Sequence, residues 1–82
     1  MKLDQLSNNI TKRVKRVDTN ELLPEISHQL EAIGFIPGEQ VTVMRRNFIG
    51  GDPLMVRIGL STFALRKVEA ALIEVEDLSD HG

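Results

Sequence analysis

The chain has no cysteine, which removes disulfide staples, thiolate metal sites, iron–sulfur clusters and cysteine nucleophiles together. It has no tyrosine or tryptophan either, and its aromatic share of 4% consists of Phe35, Phe48 and Phe63. Proline-rich peptides are held in aromatic-lined grooves with polar handles, and single-stranded nucleic acid stacks on aromatic platforms, so both modes lack their material here. No apolar run approaches the roughly 20 residues that span a bilayer, and the Met1–Gln5 stretch lacks the apolar core of a secretion signal. Direct membrane insertion is therefore not expected. P-loop, Gly-x-Gly-x-x-Gly, nucleophile-elbow and zinc-protease signatures are all missing, which leaves nucleotide chemistry and hydrolysis without a local basis. No catalytic or cofactor-binding residue is expected, and the chain does not read as an enzyme.

What is present is 82 residues, 41% apolar and 27% charged, enough for one small soluble folded domain and too few for two cores. A net charge of −2 argues against nucleic-acid binding, whose affinity comes from neutralising phosphates. The charges are uneven along the chain. Lys12, Arg13, Lys15 and Arg16 cluster early, while Glu69, Glu74, Glu76, Asp77 and Asp80 crowd the end, so a polarised surface is one expectation and an ordinary solvated face the other.

The polar Ser7-Asn8-Asn9 makes a turn before Ile10–Val17, which reads as a strand. Ile10 and Val14 share a face, but Val17 is out of step, which implies a bulge or the strand's end. Asp18-Thr19-Asn20 can start a helix whose regular part begins near Pro24, with Leu23, Ile26, Leu30 and Ile33 as its apolar stripe. Gly34 stops it and Phe35 folds back on its last turn, followed by a type II turn at Pro37-Gly38. Glu39–Phe48 and Leu54–Leu60 read as strands joined by a hairpin at Gly50-Gly51-Asp52-Pro53, with Leu54, Val56, Ile58 and Leu60 on one face. Ser61–Ala71 is ambiguous: propensity favours a helix from Ala64, whereas alternation carries a strand through Phe63 and Leu65. Leu72–Glu76 reads as a last strand, giving a domain over residues 1–76 and an acidic tail over 77–82.

Two metal-ligand patterns are weak. Glu25-x-x-His28 shares a helical face but has no second copy to complete a di-metal site, and His81 beside Asp77 and Asp80 belongs to a terminal tail. No metal-binding residue is assigned.

The helix ending in Gly34-Phe35-Ile36-Pro37-Gly38, the Val41-Thr42-Val43 strand, Gly51-Asp52-Pro53, Leu65-Arg66 and Glu69-Ala70-Ala71-Leu72-Ile73-Glu74-Val75 together resemble the FeoA family of small cytosolic ferrous iron transport proteins. The resemblance runs from Leu3 to Glu76. It implies a mainly β fold, an SH3-like five-stranded small barrel with a helical insertion between strands 1 and 2, in which Thr62–Arg66 is a strand and Lys67–Ala71 a short helical turn. It also implies a cytoplasmic, non-catalytic accessory module of ferrous iron uptake that docks on the membrane GTPase transporter FeoB and so reaches the inner face of the membrane through its partner. The alternative it implies is a metal-responsive regulatory domain similar to the SH3-like domain of iron-dependent repressors. The sequence departs from the family pattern at Asn8-Asn9, Leu60 and the hairpin tip. The partner-binding candidates are Phe48, Ile49, Gly50, Gly51, Leu60 and Phe63, because these apolar and glycine positions are the ones least tied to the core, with core packing the competing reading for Phe63, which alternation places near the interior of its strand. An uncovered barrel edge adds the expectation of a weak homodimer.

Overall fold

Alternation along five short segments builds one sheet. The computed structural model describes residues 1–19 and 24–78; Asn20, Leu23 and the tail residues Asp80 and His81 lie outside them. A 3₁₀ turn (Leu3–Gln5) leads into β1 (Thr11–Val17), α1 (Pro24–Ala32), β2 (Gln40–Arg46), β3 (Leu54–Ile58), β4 (Ser61–Leu65), α2 (Lys67–Ala70) and β5 (Ile73–Glu76). The strands pair antiparallel in the order β4-β3-β2-β1-β5, with α1 inserted between β1 and β2. Residues two apart point to the same face, so Val41 and Val43, Leu54, Val56 and Ile58, and Ile73 and Val75 all enter one core with Leu3, Val14, Leu30 and Phe35. Each such burial contributes about 1.5 to 3 kcal/mol before entropy is set against it.

The end of α1 follows its sequence signals. Gly34 sits at φ +123°, its N–H donates to the Glu31 carbonyl at 3.1 Å, and the Phe35 N–H donates to the Leu30 carbonyl at 3.0 Å. This is a Schellman closure, and it drives Phe35 into full burial. The Glu39 N–H then donates to the Ile36 carbonyl at 3.1 Å across Pro37-Gly38, with Gly38 at φ +97° as a type II turn requires. Asn9 supplies the left-handed residue of the Asn8-Asn9 turn at φ +65°. The expected break near Val17 is a bulge between Val14 and Arg16 in the β1–β5 pairing.

Four expectations need correction. Leu60 does not continue the core face of β3: with Gly59 at φ +58° it forms the two-residue turn between the paired Ile58 and Ser61, which leaves its side chain 94% exposed. Ile10 precedes β1 and is exposed instead of sharing the Val14 face. Ile33 lies largely outside the α1 stripe, because the closing turn rotates it away while Leu30 stays buried. Strand β2 stops at Arg46, short of Phe48. In the ambiguous stretch, the ladder from Ile58–Ser61 to Leu54–Leu65 overrides helix propensity, and only Lys67–Ala70 becomes helical.

The two charged segments of the sequence come together in space. Strand β5 lies against β1, placing Glu76 opposite Arg13 and Glu74 opposite Arg16, and Lys12 pairs with Asp77. Parts of the basic and acidic ends thus lie side by side, while Arg13 and Lys15 make no ion pair among the described residues.

Candidate functional site at the β2–β3 hairpin

The loop between β2 and β3 is a hydrogen-bonded unit that turns its apolar residues outward. The Asn47 N–H donates to the Pro53 carbonyl at 3.0 Å, and the Gly51 N–H donates to the Asn47 carbonyl at 3.0 Å. The Asn47 side-chain oxygen also accepts the Ile49 N–H at 2.9 Å. With backbone groups paired inside the loop and Gly50 and Gly51 at φ +77° and +71°, Phe48 and Ile49 occupy the crest. Phe48 is 98% exposed and Ile49 79% exposed. Folding leaves these two side chains in water, the arrangement of a surface that gains by being covered.

The six candidates do not form one patch. Phe48, Ile49, Gly50 and Gly51 share the tip, whereas Leu60 lies beyond the other end of β3, roughly 20 Å away by strand rise. Phe63 pairs with Val56 midway along β3 and its ring leans inward, half-buried against the core and beside the ring of Phe35. The sequence marks the tip because Phe48 and Ile49 precede two glycines at a hairpin; for Leu60 it leaves both a core face and an exposed surface open, and the two-residue turn decides for exposure.

The base of the hairpin carries residues that the sequence reading did not single out. Arg45, Arg46, Phe48, Pro53 and Met55 line a depression of about 410 Å³ beside the tip. The Arg46 guanidinium donates to the Leu6 carbonyl, which ties this part of β2 to the N-terminal segment. On the other side, Asp52 accepts the Lys67 N–H at 3.0 Å, so the loop also positions the start of α2, where the Arg66 N–H donates to Glu69 at 2.8 Å. The tip is thus braced from two directions.

Some of the charge elsewhere is committed to structure. Lys2 bridges Asp18 and Glu74, the latter at 3.3 Å, and Arg16 meets Asp18 at 3.0 Å. The Lys2 hydrogen bond holds the Asp18 carboxyl below the usual carboxylate range, against the opposing push of partial burial, and the same bond raises Lys2. Glu74 is lowered by hydrogen bonds from the Met1 amino group and Lys2, and Asp77 by its bond to Lys12. Glu25 and His28 are both exposed on α1, and no group of three or more potential ligands is assembled among the described residues. No described helix is long and apolar enough to cross a membrane.

Comparisons with known proteins agree on the family. The FeoA domain model matches residues 1–77. Stenotrophomonas maltophilia FeoA, solved in complex with zinc and described as a prokaryotic SH3 domain protein with a possible role in activating ferrous iron transport, is 33% identical with a TM-score of 0.85, covering 93% of this chain and 89% of its own. The iron(II) transport protein A of Clostridium thermocellum is 38% identical with a TM-score of 0.79, covering 95% of this chain and 46% of its own. A manganese-dependent transcriptional repressor is 25% identical with a TM-score of 0.77, covering 95% of this chain but 41% of its own. No curated protein matched the sequence.

Proposed function

We propose that this chain, which belongs to the FeoA family, is a non-catalytic accessory module of ferrous iron uptake that docks on the cytoplasmic part of a FeoB-like GTPase transporter. The observation that carries the reading is the braced hairpin tip, where Phe48 and Ile49 stand in solvent on a loop whose own hydrogen bonds already hold it. A preorganised loop loses little entropy on binding, and covering an aromatic with an aliphatic side chain supplies the centre of a small interface. Gly50 and Gly51 let a partner backbone come close. The protein works at the inner face of the membrane through this contact.

The test is a titration of isotope-labelled protein with the transporter's cytoplasmic part. Shifts centred on residues 47–51 are expected. Unchanged spectra at high partner concentration count against docking.

A second reading, a metal-responsive regulatory domain, is favoured by the likeness to the manganese-dependent repressor, of which this chain covers less than half. Calorimetric titration with ferrous iron distinguishes the two. Stoichiometric binding abolished by His28→Ala supports regulation; heats of dilution alone support the docking module.

A further inference from the structure

The fold brings acids beside the basic strand in one half of the sheet and leaves an asymmetry of charge in the other. Strands β2, β3 and β4 together carry Arg45, Arg46 and Arg57 and contain no acidic residue, within a chain whose net charge is −2. None of these arginines makes an ion pair among the described residues; in β1 Lys12 and Arg16 do, and Arg13 and Lys15 do not. Because Leu54, Val56 and Ile58 face the core, Met55 and Arg57 project from the outer face of β3, and Arg45 lies opposite Met55 across the ladder. Two acids flank these strands: Glu39 just before β2 lies beside Gly59, its Oε2 3.9 Å from where a Cβ on Gly59 would stand, and Asp52 accepts the Lys67 N–H and lines a separate depression with Pro53, Ala64 and Arg66. The exposed Phe48 and Ile49 therefore rise beside Arg45 and Arg46 with a concave apolar wall of Pro53 and Met55 next to them, and Arg57 follows further along β3 opposite Thr42.

We infer that this hairpin recognises an acidic protein surface, with Phe48 and Ile49 seated in an apolar pocket and Arg45, Arg46 and Arg57 meeting carboxylates around it. The inference rests on the docking reading above and adds the chemistry of the partner. Arginine forks match carboxylates in two-point contacts, and charges at the rim of an interface speed encounter and reject partners of the wrong sign, while the apolar centre supplies affinity. Anionic lipid headgroups offer the same sign of charge. The depression beside the tip favours protein, since a concave wall is filled by a protruding side chain and left open by a flat bilayer.

The test compares wild type with the double variant R45E/R57E, both changes on exposed side chains. Arg46 is left alone because its guanidinium holds the Leu6 carbonyl. Each protein is titrated by nuclear magnetic resonance with the transporter's cytoplasmic part at about 50 and about 300 mM salt, and each is sedimented with phosphatidylglycerol vesicles. Wild-type shifts are expected at Arg45–Gly51 and Met55–Arg57, with affinity falling as salt rises; charge reversal is expected to weaken binding about tenfold or more and flatten the salt dependence. If the reversed variant does not fold, R45Q/R57Q gives the same readout in milder form. Wild-type binding that either variant leaves within about twofold overturns this inference and leaves the docking reading intact. No wild-type binding to the transporter overturns both, and binding to vesicles alone assigns the hairpin to lipid instead.

Discussion

The ring of Phe63 on β4 meets the ring of Phe35 behind α1, with centroids 6.5 Å apart and planes tilted by 53°. Phe35 is fully buried, so Phe63 closes the side of the core that β4 covers, and its aromatic surface is already partly spent on folding. Phe35→Ala is expected to cost about 3 to 5 kcal/mol and Phe63→Ala about 2 kcal/mol, read from urea denaturation midpoints. A Phe63→Ala variant with unchanged stability would return Phe63 to the docking surface.

The tip behaves oppositely. Replacing Phe48 and Ile49 by serine should shift stability by within about 0.5 kcal/mol, because both side chains are exposed and the loop is held by Asn47, Gly51 and Pro53. Transporter association should weaken sharply. A thermal melt lowered by several degrees shows instead that the crest packs on something in the folded protein.

Gly34→Ala tests the helix stop. An added Cβ would meet Ile58 at 3.7 Å, an ordinary contact, so the expected loss comes from backbone conformation at φ +123° and not from a clash. A loss of about 1 kcal/mol or more is expected in chemical denaturation. No loss means that the closing turn relaxes without cost.

The pH dependence follows from Asp18. Its lowered carboxyl contributes stability that is present above its unfolded value of about 3.9 and lost as pH falls through the lower folded value. Glu74 and Asp77 act in the same direction, while the raised Lys2 contributes below about pH 10.4 and loses its contribution as pH rises further. Stability measured by denaturant titration should fall on acidification below about pH 5, and Asp18→Asn should flatten that slope at a loss of about 1 kcal/mol or less near neutrality. An unchanged slope in the variant assigns the acid sensitivity to the other carboxylates.

The two sheet edges differ, which bears on self-association. The outer side of β5 is partly covered by the N-terminal residues, since the Val75 N–H donates to the Met1 carbonyl at 2.8 Å. Strand β4 pairs only with β3 among the described residues and carries no charge or proline to discourage another strand. Weak dimerisation, abolished by Thr62→Lys, is expected in analytical ultracentrifugation. A single monomeric mass over a wide concentration range removes that expectation.

Much of this molecule is legible in local chemistry. The helix stop at Gly34-Phe35, the Pro37-Gly38 turn, the β2–β3 hairpin and the bulge near Val17 each depend on residues a few positions apart, whose conformational preferences act whatever the rest of the chain does. Leu60 was misplaced because alternation cannot announce where a strand ends, and Gly59 at φ +58° ends it. The fate of Ala64–Ala71 was likewise decided by the β3 ladder, a tertiary competitor that local propensity does not contain. The largest difference lies in charge. The run from Lys12 to Arg16 and the acids from Glu69 onward look like two poles when read along the chain, yet β1 and β5 are neighbours in space, with Glu76 opposite Arg13, Glu74 opposite Arg16 and Asp77 on Lys12. Arg45, Arg46 and Arg57 share three neighbouring strands that hold no acidic residue, and they are unremarkable in sequence because only strand pairing brings them together.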